Sequence, residues 1–385
     1  MLRRKLGMKK VIAAITSLVM GGSLAACGKT SSSSETAGSN PGDKTIGIAM
    51  PAQNLERWNT DGEFLKNKFE EAGYNVILTY SDNDATKQNN DIVGLVAKDV
   101  DLLLIAAVDG KKLSKTLDDA KAKNIPVVSY DRLIMDTDAI TYYVSFDNAT
   151  VGKLQGEYIK EQLQLDDTSG PYNIEFVSGD EADNNARYFF NGAYDTLVNY
   201  IDSGKLIVRS GKNTFEKVTT KDWLPENAKK DMEKTLSSNY PAGTLLDAVV
   251  CSNDSTALGV AQAIDSVYTG ANQPIITGQD GDEDNLRNIV DGKQAMTVYK
   301  NLNDEAIATF EVCKTILEGK VPAAGLVDSL PMEVTYDTGS YNNGKKYVQS
   351  YLLVPYVITK DNLQLLVETG LYKWNDDGKY LSKVK

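Results

Sequence analysis

Residues 126–132 read Pro-Val-Val-Ser-Tyr-Asp-Arg. The first four residues have the pattern of a short buried strand: apolar, β-branched and entered by a proline. An aromatic, a carboxylate and a guanidinium follow without a spacer. In an open parallel sheet, ligands bind beyond the carboxyl ends of the strands. Asp131 and Arg132 placed there offer an acceptor and a set of donors to one small polar molecule. Alternatively, the two residues cap the next turn or pair with each other on the surface. What separates these readings is whether the pattern recurs.

It recurs along the chain. From Lys44 onward, strand-like and helix-like segments alternate, which predicts parallel sheets with helices on both faces. Strands are expected at Thr45–Met50, Asn75–Tyr80, Asp101–Ala106, Thr141–Ser145, Tyr172–Ser178, Lys205–Arg209, Asp247–Ser252, Pro274–Gly278 and Gln294–Tyr299, with a strand-like end at Tyr351–Ile358. Helices between them include Glu56–Ala72, whose Trp58, Leu65, Phe69 and Ala72 share one face, and Pro225–Ser238, with proline in the first turn. The expected fold class is α/β: two doubly wound parallel-sheet halves of similar grammar, without a residue-level repeat.

The strand ends carry polar residues. Arg57 and Trp58 follow the first strand, and Asp183 and Asn185 follow the Tyr172 strand. Asn253 follows the Asp247 strand, Asp280 the Pro274 strand, and Lys300 the Gln294 strand. Carboxylates accept from hydroxyls while Arg, Lys and Asn donate to them, so this set suits a ligand dense in hydroxyls. Trp58 and Trp223 add flat apolar faces of the kind that cover the C–H-rich side of a pyranose. Each residue also has a plain structural role open to it. Trp58 could be core, Trp223 a hydrophobic staple, Asn185 a helix cap, and Lys300 a solvated strand end.

The chain has 385 residues, enough for two domains, and a net charge of −12, which argues against nucleic acid as a partner. With no histidine, triads and general bases that use histidine are excluded. No phosphate loop or nucleophile elbow occurs, and nothing implies a cofactor. Asp131 and Asp280 could in principle flank a glycosidic bond, but nothing marks either as a raised-pKa acid. The acidic run Asp280–Asp284 fails the calcium-loop template, with Asn285 where glycine is needed and Asp291 where glutamate is needed; no metal site is expected. Cys251 and Cys313 are read as buried thiols, with a bridge left open.

The first 26 residues have the form of a signal peptide: Arg3, Arg4, Lys5, Lys9 and Lys10, then an apolar run Val11–Met20, then Leu24-Ala25-Ala26-Cys27. This end resembles a bacterial lipobox, which makes Cys27 the lipidated first residue of the mature chain. Cleavage there removes five positive and no negative charges, taking the net charge from −12 to −17. Residues 27–43 are then a lipid anchor and a Ser/Gly-rich flexible tether.

The segments LERW, YDR, FDN, DNNA, WLPENA, SND, GQD and MTVYK occur in this order from Leu55 to Lys300. In this they resemble the bacterial xylose-binding and multiple-sugar-binding proteins of sugar ABC importers, of the type I periplasmic binding protein family. The resemblance covers about Lys44 to the C-terminus. It implies two lobes, 44–147 plus 301–354 and 148–300 plus 355–385, joined by a three-strand hinge. It also implies a monosaccharide held without chemistry by Arg57, Asp131 and Arg132 from one lobe, by Asp183, Asn185, Asn253 and Asp280 from the other, and by Lys300 near the hinge. Trp58 and Trp223 would sandwich the ring.

The implied partners are an ABC permease, or instead a sensor kinase or chemoreceptor. The implied location is the outer face of a cell membrane, in a Gram-positive cell. A sugar-processing enzyme is the weaker alternative. Lys205–Asp222 looks like the multiple-sugar branch and WLPENA like the xylose branch, so the preferred sugar stays open.

Overall fold

The structure is a computed structural model that describes residues 40–53 and 56–384. The signal peptide, the lipobox with Cys27 and most of the tether lie outside the described residues. The tether reading extends slightly too far. Pro41–Asp43 forms a 3-10 turn, and the Gly42 carbonyl accepts from Asn75 Nδ2 at 2.8 Å.

The strand at Val127–Tyr130 lies inside a seven-stranded sheet. In spatial order this sheet is Val334–Asp337, Ser350–Leu353, Ile140–Phe146, Val127–Tyr130, Leu102–Ile105, Thr45–Met50 and Asn75–Tyr80. All neighbours are parallel except the first two. The antiparallel edge strand Val334–Asp337 was not anticipated. A second sheet orders Leu206–Val208, Tyr172–Val177, Ala248–Cys251 and Ile275–Ile276, all parallel.

In both sheets the chain lays down its first strand, places the second on one side, then crosses to the other side for the third. That reversal opens a crevice at the carboxyl ends of the strands. An antiparallel pair, Met296–Tyr299 with Tyr356–Thr359, adjoins the second sheet through a Gln279–Val298 bridge. The segment expected as one strand, Tyr351–Ile358, is therefore two strands in different sheets. The break falls at Val354–Pro355, where proline cannot donate to a ladder.

Period-two alternation explains why the strands read as continuous apolar runs. Ile46, Ile48, Leu102, Leu104, Val128 and Tyr130 pack on one face of the first sheet. Ala49, Leu103, Ile105 and Val127 pack on the other. Both faces are covered by helices, so both parities must be apolar. The second sheet does the same with Ile174, Phe176 and Val250 on one side and Val249, Cys251 and Ile276 on the other. Each Leu or Ile buried this way contributes roughly 1.5–3 kcal/mol. Cys251 and Cys313 are both buried and free.

Candidate ligand-binding cleft

The carboxyl ends of both sheets open onto one cleft of about 2010 Å³, larger than the roughly 300–1,000 Å³ of a typical small-molecule pocket. All ten residues singled out from the sequence line it: Arg57, Trp58, Asp131, Arg132, Asp183, Asn185, Trp223, Asn253, Asp280 and Lys300.

Asp131 sits at the centre. Its φ is +57°, a left-handed conformation that costs a non-glycine residue about 1–3 kcal/mol. Its backbone carbonyl is held by three donors: Tyr143 Oη at 2.7 Å, Ser145 Oγ at 2.9 Å and Asn185 Nδ2 at 2.8 Å. The carboxylate receives Arg57 Nη2 at 2.5 Å and has Lys300 Nζ 3.9 Å away. Burial opposes the Asp131 charge, but Arg57 and Lys300 outweigh it and hold the carboxyl below the ordinary range.

Lys300 is only 2% exposed, so it is not a solvated strand end. It also reaches Asp280 Oδ1 at 3.3 Å and lies 5.7 Å from the Phe189 ring. Asp280, like Asp131, is an acidic residue at positive φ, here +112°. Arg132 Nε lies 3.0 Å from Asp183 Oδ2, and its Nη1 donates to Ala107 O at 3.1 Å. Burial pushes the Asp183 carboxyl up while Arg132 pulls it down, and burial wins.

The helix-capping roles fall differently from expectation. Asp183, not Asn185, is the N-cap of helix Asn184–Asp202. Asn253 caps helix Asp254–Val267, its Oδ1 accepting from Thr256 N at 3.0 Å. Trp58 is both core and cleft wall. It is 3% exposed and packs in the first-sheet core, with the Arg57 and Arg132 guanidiniums 4.6 and 5.0 Å from its ring centroid. Trp223 lies at a positive φ of 59°. It packs edge-on to Phe189, 6.3 Å between centroids, and covers Gly179, where a Cβ would come within 1.9 Å of Trp223 Cη2.

Among the described residues, several buried polar atoms of cleft-lining residues have no hydrogen-bond partner in the protein, Arg57 Nε, Trp223 Nε1 and Gln279 Oε1 among them. Buried polar groups are usually paired, so this concentration leaves capacity for a polar guest.

Three supporting residues were not among the expected ligand contacts, although Asp254 stands beside Asn253 at a strand end in the sequence. Asp61 accepts from Tyr130 Oη at 2.9 Å and lies 3.7 Å from Arg57 Nε. Burial raises its pKa to about 6, against the pull of Arg57. Glu305, fully buried, lies 3.4 Å from Arg57 Nη2. Burial pushes its carboxyl well up, with Asp131 adding to the shift. Asp254 shapes the 278–282 loop by accepting from Gly281 N and Asp282 N, each at 2.9 Å. A Cβ at Gly278 would meet Asp254 Oδ1 at 2.1 Å. The first two lie on helices, where spacing alone reads as a solvated charged face; only the Asp254 signal, a carboxylate directly after the Asn253 amide at a strand end, was visible in the sequence. Among the described residues no acid or cysteine cluster suits a metal ion.

The periplasmic binding protein domain matches residues 46–321. The chain belongs to the periplasmic binding protein domain family. Within this family it is 40% identical over 333 residues to the multiple sugar-binding periplasmic receptor ChvE of Rhizobium radiobacter, covering 86% of this chain and 91% of the relative. It is 35% identical over 329 residues to the D-xylose-binding periplasmic protein of Escherichia coli, covering 85% and 91%. Among solved structures it is similar to an ABC transporter solute-binding protein from Clostridium phytofermentans with bound β-D-glucose. The TM-score is 0.80 at 43% identity, covering 87% of this chain and 99% of that one. A Chloroflexus aurantiacus carbohydrate transporter solute-binding protein in complex with D-glucose gives 0.73 at 29% identity, covering 86% and 97%. These periplasmic binding proteins are receptors of transport systems, not enzymes.

Proposed function

We propose that this chain is an extracytoplasmic receptor, lipid-anchored through Cys27, that binds a monosaccharide and delivers it to an ABC permease. The ligand is xylose or a glucose- or galactose-type aldose. The observation that carries the reading is the convergence of strand-end side chains from both sheets on one cleft. Arg57, Arg132 and Lys300 there stand among Asp131, Asp183 and Asp280, beside two indoles. Donors and acceptors interleaved in this way match a neutral ring whose hydroxyls both donate and accept. The named relatives and the glucose-bound neighbours support the same ligand class. The basic, apolar and Leu-Ala-Ala-Cys sequence at residues 3–27 supports the anchor.

The moving units of the proposal are 44–147 plus 301–354 and 148–300 plus 355–385. The chain passes between the sheets after Phe146, after Tyr299 and after Leu353. A sugar touching both units favours the closed arrangement and shifts the population toward it. A sugar lacking one hydroxyl leaves a buried partner unpaired and is rejected.

The test is a thermal-shift panel of D-xylose, D-glucose, D-galactose, L-arabinose and D-ribose on the full chain. A ligand at 100 times its Kd stabilises by about 2.7 kcal/mol. A reproducible rise with xylose, glucose or galactose is expected. No rise with any sugar at millimolar concentration refutes the proposal.

A further inference from the structure

Residues 372–383 form an antiparallel hairpin, Tyr372–Trp374 with Leu381–Lys383, beyond the segment 46–321 matched by the family domain. The hairpin was not expected from the sequence. It folds back onto the loop that carries Asp280, and Leu371, Tyr372, Lys383 and Val384 form part of the cleft wall.

Hairpin and loop are joined by an ion pair, Lys383 Nζ lying 3.9 Å from Asp282 Oδ1, and by hydrogen bonds. Tyr372 Oη donates to the Gly281 carbonyl at 2.8 Å, both groups buried. Lys383 N donates to Glu283 Oε1 at 2.6 Å. The Tyr372 ring is 4% exposed and packs edge-on to Tyr299, 5.9 Å between centroids. The fit is tight. Gly281 sits at φ +79°, and a Cβ there would meet Tyr299 Cδ2 at 2.9 Å and Tyr372 Oη at 3.2 Å.

The loop needs such a clamp because Asp280 holds φ +112°. A non-glycine residue stays in so sparsely populated a conformation only where its surroundings over-determine it. Three independent anchors do so: Asp280 N to Val298 O at 3.0 Å, Asp254 Oδ2 to the Gly281 and Asp282 amides, and Tyr372 on the Gly281 carbonyl. The first two fix the N–H side of the loop. Tyr372 holds the carbonyl of the Gly281–Asp282 peptide, whose N–H Asp254 holds from the opposite side, so this peptide plane is clamped at both ends.

We propose that the C-terminal hairpin is part of the binding site and that Tyr372 is a positioning residue. Through the Gly281 carbonyl it sets the direction in which Asp280 presents its carboxylate to the ligand and to Lys300. This rests on the reading of the cleft as a sugar site. The hairpin thereby ties ligand affinity to the C-terminal segment.

The experiment is a double-mutant cycle by calorimetric titration of the full chain with D-glucose and D-xylose, using wild type, Tyr372→Phe, Asp280→Asn and the double variant. Tyr372→Phe removes one hydroxyl and keeps the ring that packs on Tyr299. The lost bond lies within the protein, so only the part of its worth that displaces Asp280 reaches affinity, and binding is expected to weaken by about 3-fold and by no more than about 10-fold. In the Asp280→Asn background the same substitution is expected to cost less than about 2-fold, because the group it positions is already altered. A merely structural tyrosine would weaken binding equally in both backgrounds, and that result overturns the proposal.

Hydrogen exchange of the 278–284 segment without sugar is the second measurement, independent of whether Asp280→Asn still binds. It is expected to quicken several-fold in Tyr372→Phe. Unchanged exchange overturns the clamp. Failure of the wild type to bind either sugar or any of the panel refutes the sugar reading, and the hairpin's role falls with it. Wild-type binding with an additive cycle refutes the hairpin's role alone.

Discussion

Asn253 does two jobs with two ends of one amide, and the structure lets them be separated. Its Oδ1 caps helix Asp254–Val267, accepting from Thr256 N at 3.0 Å and from Thr256 Oγ1 at 3.0 Å. Its Nδ2 has no hydrogen-bond partner among the described residues and belongs to a residue that lines the cleft. Asn253→Ala removes both functions. Losing an N-cap costs about 1 kcal/mol, within a range of roughly 0.5–2. Unfolding entropy of about 2 cal/mol/K per residue over a body of this size turns that into a fall of roughly 1–3 °C in the sugar-free transition. Asn253→Ser keeps a capping oxygen, since serine caps about as well as asparagine, but removes the amide donor.

The expected outcome is therefore split. Calorimetric titration with the best sugar of the panel shows both variants binding at least about 3- to 10-fold more weakly, the worth of one hydrogen bond. Scanning calorimetry without sugar shows Asn253→Ala melting lower and Asn253→Ser close to wild type. Wild-type affinity in Asn253→Ser would refute the ligand contact. An unshifted transition in Asn253→Ala would refute the cap.

Two further predictions concern residues that back two lining side chains, Asp61 behind Arg57 and Gly179 behind Trp223. Asp61 titrates near pH 6 when folded against 3.8 ordinarily, so between these values the native state holds the extra proton and stability falls as pH rises. That gap is worth up to about 3 kcal/mol, present in full below pH ~4 and lost above pH ~6. Urea denaturation of the sugar-free protein at several pH values should show this slope flattened in Asp61→Asn, and parallel curves for the two proteins would count against it. Gly179→Ala places a Cβ within 1.9 Å of Trp223 Cη2, so the indole must move. Indole fluorescence should change and sugar affinity should fall at least 10-fold, and wild-type values for both would show that Trp223 does not cover the ligand.

The fold class and the composition of the cleft were legible in the sequence because both rest on local rules. Strands buried on both faces must be apolar at nearly every position, as Leu102–Ile105 is throughout and Val127–Tyr130 is apart from Ser129. A parallel sheet in turn sends whatever follows each strand to one end, which is why Arg57, Asp131, Asn185, Asn253, Asp280 and Lys300 could be gathered before any distance was known. Only the tertiary structure decided which of these groups pair. Asp131 meets Arg57 and Lys300, while Asp183 meets Arg132.

Tertiary structure also placed Asp61 and Glu305 beneath Arg57 and turned Tyr372 onto Gly281. Asp61 and Glu305 lie on helices whose exposed and buried charges look alike in sequence, and the Tyr372 contact joins positions 91 residues apart. Pairing of that kind depends on where two distant backbones cross, and no local pattern of residues encodes the crossing.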